Sequence, residues 1–249
     1  MCNAQEAPRC EPRAALFLDL DGTLIEIAAR PELVRVPADL PGLLARLAGG
    51  RAGALAVVSG RALADIDRLL APWQGAAAGL HGAERRRANG TIERTADPGA
   101  AAALARLRPI LEAVAAEAPG VFVEDKGAAL ALHYRAAPGR AAALCAAARD
   151  LAVQSAAALR LVEGKMVLEF RPASASKGTA IAAFLGEPPF RGRAPVFLGD
   201  DATDEDGFAE VNRRGGLAIR VGPPGGSAAC FALPSVAAAL SWLAAGRSG

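Results

Sequence analysis

Three short apolar runs that stop at polar residues constrain the fold more than any other feature of the chain. Residues 14–20 read AALFLDL, residues 54–58 read ALAVV and residues 195–198 read PVFL. Runs of this length suit strands, and a nearly unbroken apolar run suits a strand covered on both faces of a parallel sheet. Residues 38–48 carry Leu40, Leu43, Leu44 and Leu47 at helical spacing before Gly49 and Gly50, which predicts a helix with a glycine stop. A second helix is predicted after the turn at Ser59, Gly60 and Arg61, running through Leu70, and a third strand over residues 76–80. Strand, helix, strand, polar turn, helix is the rhythm of an α/β fold.

Near residue 98 the rhythm changes. A long helix over residues 98–117 leads to strands at 121–124 and 128–134 around a turn at 125–127. A helix at 139–154 and strands at 160–163 and 166–170 follow. Helix, hairpin, helix, hairpin reads as an α+β layer with its own antiparallel sheet. The first pattern then resumes, with a helix at 177–185, strands at 195–198 and 218–221, and a helix at 236–245. The expected organisation is a core of residues 1–97 and 172–249, with residues 98–171 inserted as a cap.

Composition narrows the function classes. Hydrophobic residues are 52% and charged residues 22% of the 249-residue chain, enough apolar material for a folded core. The net charge is only +2 and the arginines are scattered, which argues against a nucleic-acid partner. The densest basic run, Arg85, Arg86 and Arg87, reads as a solvated turn. Cys2, Cys10, Cys145 and Cys230 form no closely spaced pair, so a reducing cytoplasm is the expected setting. The first residues lack the pattern of a signal peptide, and the Ala-rich stretches break well short of about 18 residues, so no membrane partner is expected. A single chain acting as a monomer fits these features.

Two scarcities matter more. His81 and His133 are the only histidines, so carboxylates are the expected ligands of any metal; both histidines read as packed or hydrogen-bonded groups, with His81 a candidate for the site rim. Lys126, Lys165 and Lys177 are the only lysines among 28 basic residues, so a lysine here marks a need for a compact ammonium. Lys165 is expected in a solvated turn.

The polar residues after the apolar runs gather the chemistry, because ligands of an open α/β sheet collect beyond the carboxyl ends of its strands. Asp19 and Asp21 follow the first run, Ser59 and Arg61 the second, and Asp200, Asp201 and Asp204 the strand at 195–198, while Lys177 opens the helix after the insert. Carboxylates brought together repel one another and call for a divalent cation, and an all-oxygen set suits Mg²⁺. Mg²⁺ commonly works with phosphate, and one aspartate could attack phosphorus while the other carries a proton.

DLDGT at 19–23, VVSGR at 57–61, Lys177 and GDDATDED at 199–206 resemble the four ordered motifs of haloacid-dehalogenase-like phosphohydrolases. GLHGAE at 79–84, VEDKGAALALHYR at 123–135, GKMVLEFRP at 164–172 and DDATDEDGFAEVN at 200–212 are more specific and resemble the trehalose-6-phosphate phosphatases. The resemblance implies a Rossmann-like parallel-sheet core with a smaller inserted α+β cap. It implies Asp19 as nucleophile, Asp21 as general acid and base, and Ser59 and Lys177 as phosphoryl holders, with Thr23, Gly60 and Arg61 on the substrate. Mg²⁺ would be held by Asp19, the main-chain carbonyl of Asp21, Asp200, and Asp201 or Asp204. In the cap, Glu124, Lys126 and Glu169 would bind sugar hydroxyls. The expected substrate is a small sugar phosphate, trehalose 6-phosphate first. Phosphatases for sucrose phosphate or glucosyl-glycerate phosphate, a phosphomutase and a non-catalytic sugar-phosphate sensor are the alternatives.

Overall fold

The computed structural model describes residues 5–28, 33–94, 97–164, 166–223 and 226–246; Cys2 and Lys165 lie outside them. The chain divides into two compact units, one of Met1–Arg94 with Ser176–Gly249 and one of Thr95–Ala175. The first unit begins with β1 (Gln5–Glu6), β2 (Ala15–Leu18), α1 (Leu40–Gly49), β3 (Leu55–Val58), α2 (Leu63–Leu70), β4 (Ala76–Gly79), β5 (Glu84–Arg86) and β6 (Ile92–Arg94). The second holds α3 (Pro98–Ala116), β7 (Phe122–Asp125), β8 (Leu130–His133), α4 (Ala141–Ser155), β9 (Leu159–Gly164) and β10 (Val167–Pro172). The first unit resumes with α5 (Lys177–Leu185), β11 (Pro195–Gly199), α6 (Glu205–Arg213), β12 (Leu217–Val221), β13 (Phe231–Leu233) and α7 (Val236–Ala245).

Among the described residues, the sheet of the first unit runs in the order β1-β13-β12-β11-β2-β3-β4-β5-β6. Every pairing from β1 across to β4 is parallel, and β5 and β6 extend one edge antiparallel. From β2 the chain order climbs one way to β3 and β4 and the other way to β11, β12 and β13. The crevice expected where strand order reverses therefore lies at the carboxyl end of β2.

Alternation along the strands separates two apolar clusters, one on each face. Leu16, Leu18, Val57, Leu198 and Ile219 pack with residues of α1, α2 and α7. Ala15, Phe17, Ala56, Val58 and Phe197 pack with residues of α5 and α6, and the Phe17 ring lies 5.5 Å from that of Phe190. Burial on both faces explains why these strands read as unbroken apolar runs. Strand β2 stops at Leu18, earlier than the apolar run suggests, because Leu20 O accepts from the N–H groups of Thr23, Leu24 and Ile25 and turns the chain.

The second unit has its own core and an antiparallel sheet ordered β7-β8-β10-β9. Leu130, Leu132, Leu168 and Phe170 face Leu104, Leu107, Leu111, Leu144 and Ala148 of α3 and α4. At its two ends, Ser174 Oγ donates to Asp97 Oδ2 at 3.0 Å, and Asp97 also caps α3 by accepting from Ala100 N at 2.9 Å.

The solvated turn expected at Arg85–Arg87 is corrected by the structure. Arg85 and Arg86 lie in β5, and Arg86 is buried, donating to Gly75 O at 2.9 Å and to Asp67 at 2.7 Å. Arg85 and Arg87 both reach Glu187, at 2.6 and 2.7 Å, and the Arg85 guanidinium lies 5.0 Å over the Phe184 ring. Ion pairs and long aliphatic stems let arginines form a packed strand with little apolar pattern.

Candidate active site

Asp19 stands at the switch point. Its N–H donates to Leu198 O at 2.9 Å, extending the β2–β11 ladder one residue past the strand end and anchoring the backbone beneath the carboxylate. The side chain is buried and both oxygens are held: Thr23 Oγ1 donates to Oδ2 at 3.1 Å and Lys177 Nζ to Oδ1 at 2.6 Å. Lys177 owes its position to the start of α5. Ser176 and Thr179 form a reciprocal capping box, Thr179 N donating to Ser176 Oγ at 3.1 Å and Ser176 N to Thr179 Oγ1 at 2.9 Å. A cation at a helix N-terminus opposes the helix dipole, and here two carboxylates offset that cost.

The second carboxylate is Asp204, whose Oδ1 accepts from Lys177 Nζ at 2.6 Å. Its Oδ2 accepts from the backbone N–H groups of Asp200 and Asp201, at 2.9 and 3.1 Å, so Asp204 fastens the loop after β11 to the lysine. Asp200 faces the turn after Asp21: a β-carbon on Gly22 would stand 2.1 Å from its Oδ2, and Gly22 has φ of +81°, so only glycine fits both demands. An oxygen from each of Asp19, Asp200 and Asp204 lies within 4.8 Å of the others.

Burial drives the Asp19 carboxyl well above the ordinary carboxylate range; Lys177 pulls it down, and the charges of Asp204 and Asp200 push it back up. Asp204 is likewise raised by burial, against the pull of Lys177. Burial works against the Lys177 charge, but Asp19 and Asp204 outweigh it and keep the ammonium protonated far beyond its usual range. Three carboxylates against one ammonium leave net negative charge in a largely buried site, and an all-oxygen cluster that resists full ionisation fits a hard divalent cation. Asp201 is not in this cluster. Its Oδ1 accepts from Thr203 N and Oγ1, at 2.8 and 2.7 Å, and stabilises the turn into α6.

Asp21 and Arg61 meet across the ends of β2 and β3. The guanidinium donates from Nε to Oδ2 and from Nη2 to Oδ1, both at 2.6 Å, a two-point fit that fixes the plane of the carboxylate. Ser59 is buried beside it, its Oγ accepting from Arg61 N at 3.2 Å. It is not the cap of α2, whose Leu63 N–H donates instead to Glu84 Oε2 at 3.1 Å.

His81, a candidate for the site rim from sequence, is central to how this loop is built. Leu80 and His81 both take left-handed backbone, with φ of +48° and +54°. Leu80 N donates to Arg61 O at 2.9 Å and His81 N to Ser59 O at 3.0 Å. The imidazole is buried against Gly60, where a β-carbon would stand 2.6 Å from Nε2. Two adjacent non-glycine residues in this conformation store strain of about 1–3 kcal/mol each, which is characteristic of functional sites. Glu205, by contrast, points elsewhere and accepts from Ser227 Oγ and Ala228 N.

The second unit gathers another polar group. Glu124, Ala131 and Glu169 are register partners across β7, β8 and β10, which sets the two glutamates on one face of the sheet. Lys126 Nζ donates to Glu169 Oε2 at 2.6 Å, and His133 Nε2 lies 2.8 Å from Glu124 Oε2.

Residues 17–229 match the profile of a family described as trehalose-phosphatase. A "probable trehalose-phosphate phosphatase" of Sinorhizobium fredii is 48% identical over 240 residues, covering 93% of this chain and 86% of the relative. The chain belongs to the trehalose-phosphatase family. A trehalose-6-phosphate phosphatase of Escherichia coli is 45% identical, with 96% of this chain and 88% of the relative covered. Among solved structures, the C-terminal domain of a C. albicans trehalose-6-phosphate phosphatase superposes with a TM-score of 0.83 at 22% identity, over 94% of this chain and 92% of that one. That likeness is one of fold, and the trehalose-phosphatase fold here is a haloacid-dehalogenase-like α/β core with an inserted α+β unit, as expected from sequence.

Proposed function

We propose that this chain is a Mg²⁺-dependent phosphatase that hydrolyses trehalose 6-phosphate to trehalose and phosphate. The observation that carries the reading is Asp19: a buried carboxylate at the switch point, gripped on both oxygens by Thr23 and Lys177, with Asp200 and Asp204 beside it. A carboxylate held in one orientation near an ammonium is suited to attack a phosphoryl group whose negative oxygens that ammonium can neutralise.

In the first step Asp19 forms a bond to phosphorus and the bond from phosphorus to the sugar oxygen breaks. Asp21, oriented by Arg61, gives its proton to the departing sugar oxygen. In the second step Asp21 takes a proton from water, which attacks the aspartyl-phosphate and releases phosphate and Asp19. Lys177 and Ser59 hold the phosphoryl oxygens, Thr23 steadies Asp19, and Arg61 and the Gly60 backbone line the path of the substrate. Asp19, the main-chain carbonyl of Asp21, Asp200 and Asp204 would hold Mg²⁺, which when bound neutralises charge on the transferring group. Asp201, committed to Thr203, serves the loop. Glu124, Lys126 and Glu169 contact sugar hydroxyls, a role that suits charged groups on one sheet face because a sugar offers many hydroxyls and little apolar surface.

The test is phosphate release from a panel of sugar phosphates, with Mg²⁺ and with a chelator. Trehalose 6-phosphate should be hydrolysed fastest and only with the metal. Equal rates on glucose 6-phosphate or sucrose 6-phosphate would reject the substrate, and phosphate release only when a sugar acceptor is added would indicate a mutase.

A further inference from the structure

Glu124 does not stand alone on its sheet. In the register of β7 and β8, Phe122 lies directly opposite His133, and Glu124 is two residues further along β7 on the same face. The Phe122 and His133 rings are stacked, with centroids 4.6 Å apart and planes within 8°. The imidazole edge then meets the carboxylate, Nε2 to Oε2, at 2.8 Å. Phe122 is 57% exposed, one of the few large apolar side chains presented to solvent among the described residues. An imidazole hydrogen-bonded at one nitrogen can still swing about its side-chain torsion; a ring stacked on its face cannot. The stack of Phe122 on His133 thus holds the plane of the imidazole, and the imidazole in turn anchors one oxygen of the Glu124 carboxylate.

Glu169, across Ala131 in the same row, is tied by Lys126 instead. Each glutamate of the pair has its own donor, so each presents an oriented acceptor. The hydrogen bond from His133 is also the main influence holding the Glu124 carboxyl below its ordinary range, against partial burial and with help from the Lys126 charge. An ionised, oriented carboxylate accepts a sugar hydroxyl more strongly than one that must first be ordered.

We propose that His133 is a positioning residue for Glu124, held in plane by Phe122, and that this pair sets how tightly the sugar part of the substrate binds while leaving phosphoryl transfer untouched. The proposal rests on the reading of Glu124 as a sugar contact.

The experiment measures kcat and KM for trehalose 6-phosphate, and the inhibition constant of inorganic phosphate, in the full-length H133A, H133Q, F122A and E124Q enzymes. Loss of a hydrogen bond to a charged group should raise KM about 10-fold in H133A, with kcat and phosphate inhibition within about 2-fold of wild type. H133Q, whose side-chain amide can donate to the same oxygen, should recover most of the affinity. F122A should fall between them, at about 3-fold. An unchanged KM in H133A beside a raised KM in E124Q overturns the positioning role and leaves the sugar reading standing. Unchanged KM in both variants overturns both readings. Equal losses in kcat, KM and phosphate inhibition, or no recovery in H133Q, would mean that His133 serves only the fold and would also overturn the proposal. If H133A does not fold, H133Q and F122A carry the same comparison.

Discussion

The ammonium of Lys177 sits 2.6 Å from Asp19 Oδ1, with the two side chains 3% and 5% exposed. The same nitrogen is 2.6 Å from Asp204 Oδ1, on a side chain with no exposure at all. Removing Lys177 leaves two buried carboxylates facing each other without a counter-charge. K177M should lose about 3–5 kcal/mol of stability in the metal-free protein and about 10³-fold in kcat. K177R should not rescue it, because a guanidinium is too large and too differently shaped for a pocket built around a point charge. Thermal melts and phosphate release check the two parts separately.

Asp19 gives the metal-free protein a pH signature. Its native carboxyl is raised, above all by burial, so the folded state keeps this proton at pH values where the unfolded chain, titrating near 3.8, has lost it. With more protons bound in the native state, this contribution is full below the unfolded value and is lost as pH rises through the raised native one. Melting curves in chelator should therefore fall with rising pH more steeply for wild type than for D19N. Saturating Mg²⁺ should flatten that difference, because a bound cation takes the place of the proton. Identical pH slopes for the two proteins in chelator would show that Asp19 carries no raised titration.

Arg61 holds Asp21 by two parallel hydrogen bonds that a lysine cannot reproduce. R61K should cut kcat about 10–100-fold through misorientation of the proton carrier. Its denaturation midpoint should barely move, since Asp21 is a third exposed and such pairs contribute under about 1 kcal/mol. A large loss of stability with unchanged kcat would invert this assignment.

Gly60 and His81 should behave as a coupled pair. A methyl at position 60 would press on the imidazole, 2.6 Å from Nε2 and 2.7 Å from Cε1, so G60A should lower kcat/KM by about 10-fold or more. H81G removes the ring and also relieves the left-handed backbone. The double variant G60A/H81G should then lose less than the sum of the single losses, a departure from additivity that a double-mutant cycle measures directly.

How much of this was legible depended on whether a residue's partner lay close in the sequence. Helix α5 is bounded by its own neighbours, Ser176 and Thr179 at the start and Gly186 at the end, and its span matches expectation residue for residue. The parallel strands announce themselves because burial on two faces demands apolar runs. The β5–β6 hairpin does not, because its arginines are held by Asp67 and by Glu187, about a hundred residues further along the chain. The carboxylates could be placed at strand ends from sequence, yet the Arg61–Asp21 pair depends on β2 and β3 lying side by side. Nothing local marks Leu80 as left-handed, since it is neither a glycine nor one of the polar residues that favour positive φ. The sequence marks His133 only as a packed or hydrogen-bonded histidine; its particular partners, Phe122 and Glu124, follow from the β7–β8 register.

The hydrogen bond between Ser174 and Asp97 joins the first and last turns of the inserted segment. A segment whose ends are already fastened together, and which carries its own core, is a cassette: it can lengthen, diverge or be exchanged without altering the path of the chain on either side. Selection for a new sugar could therefore act on about eighty residues, Thr95–Ala175, while the machinery around Asp19 is inherited unchanged.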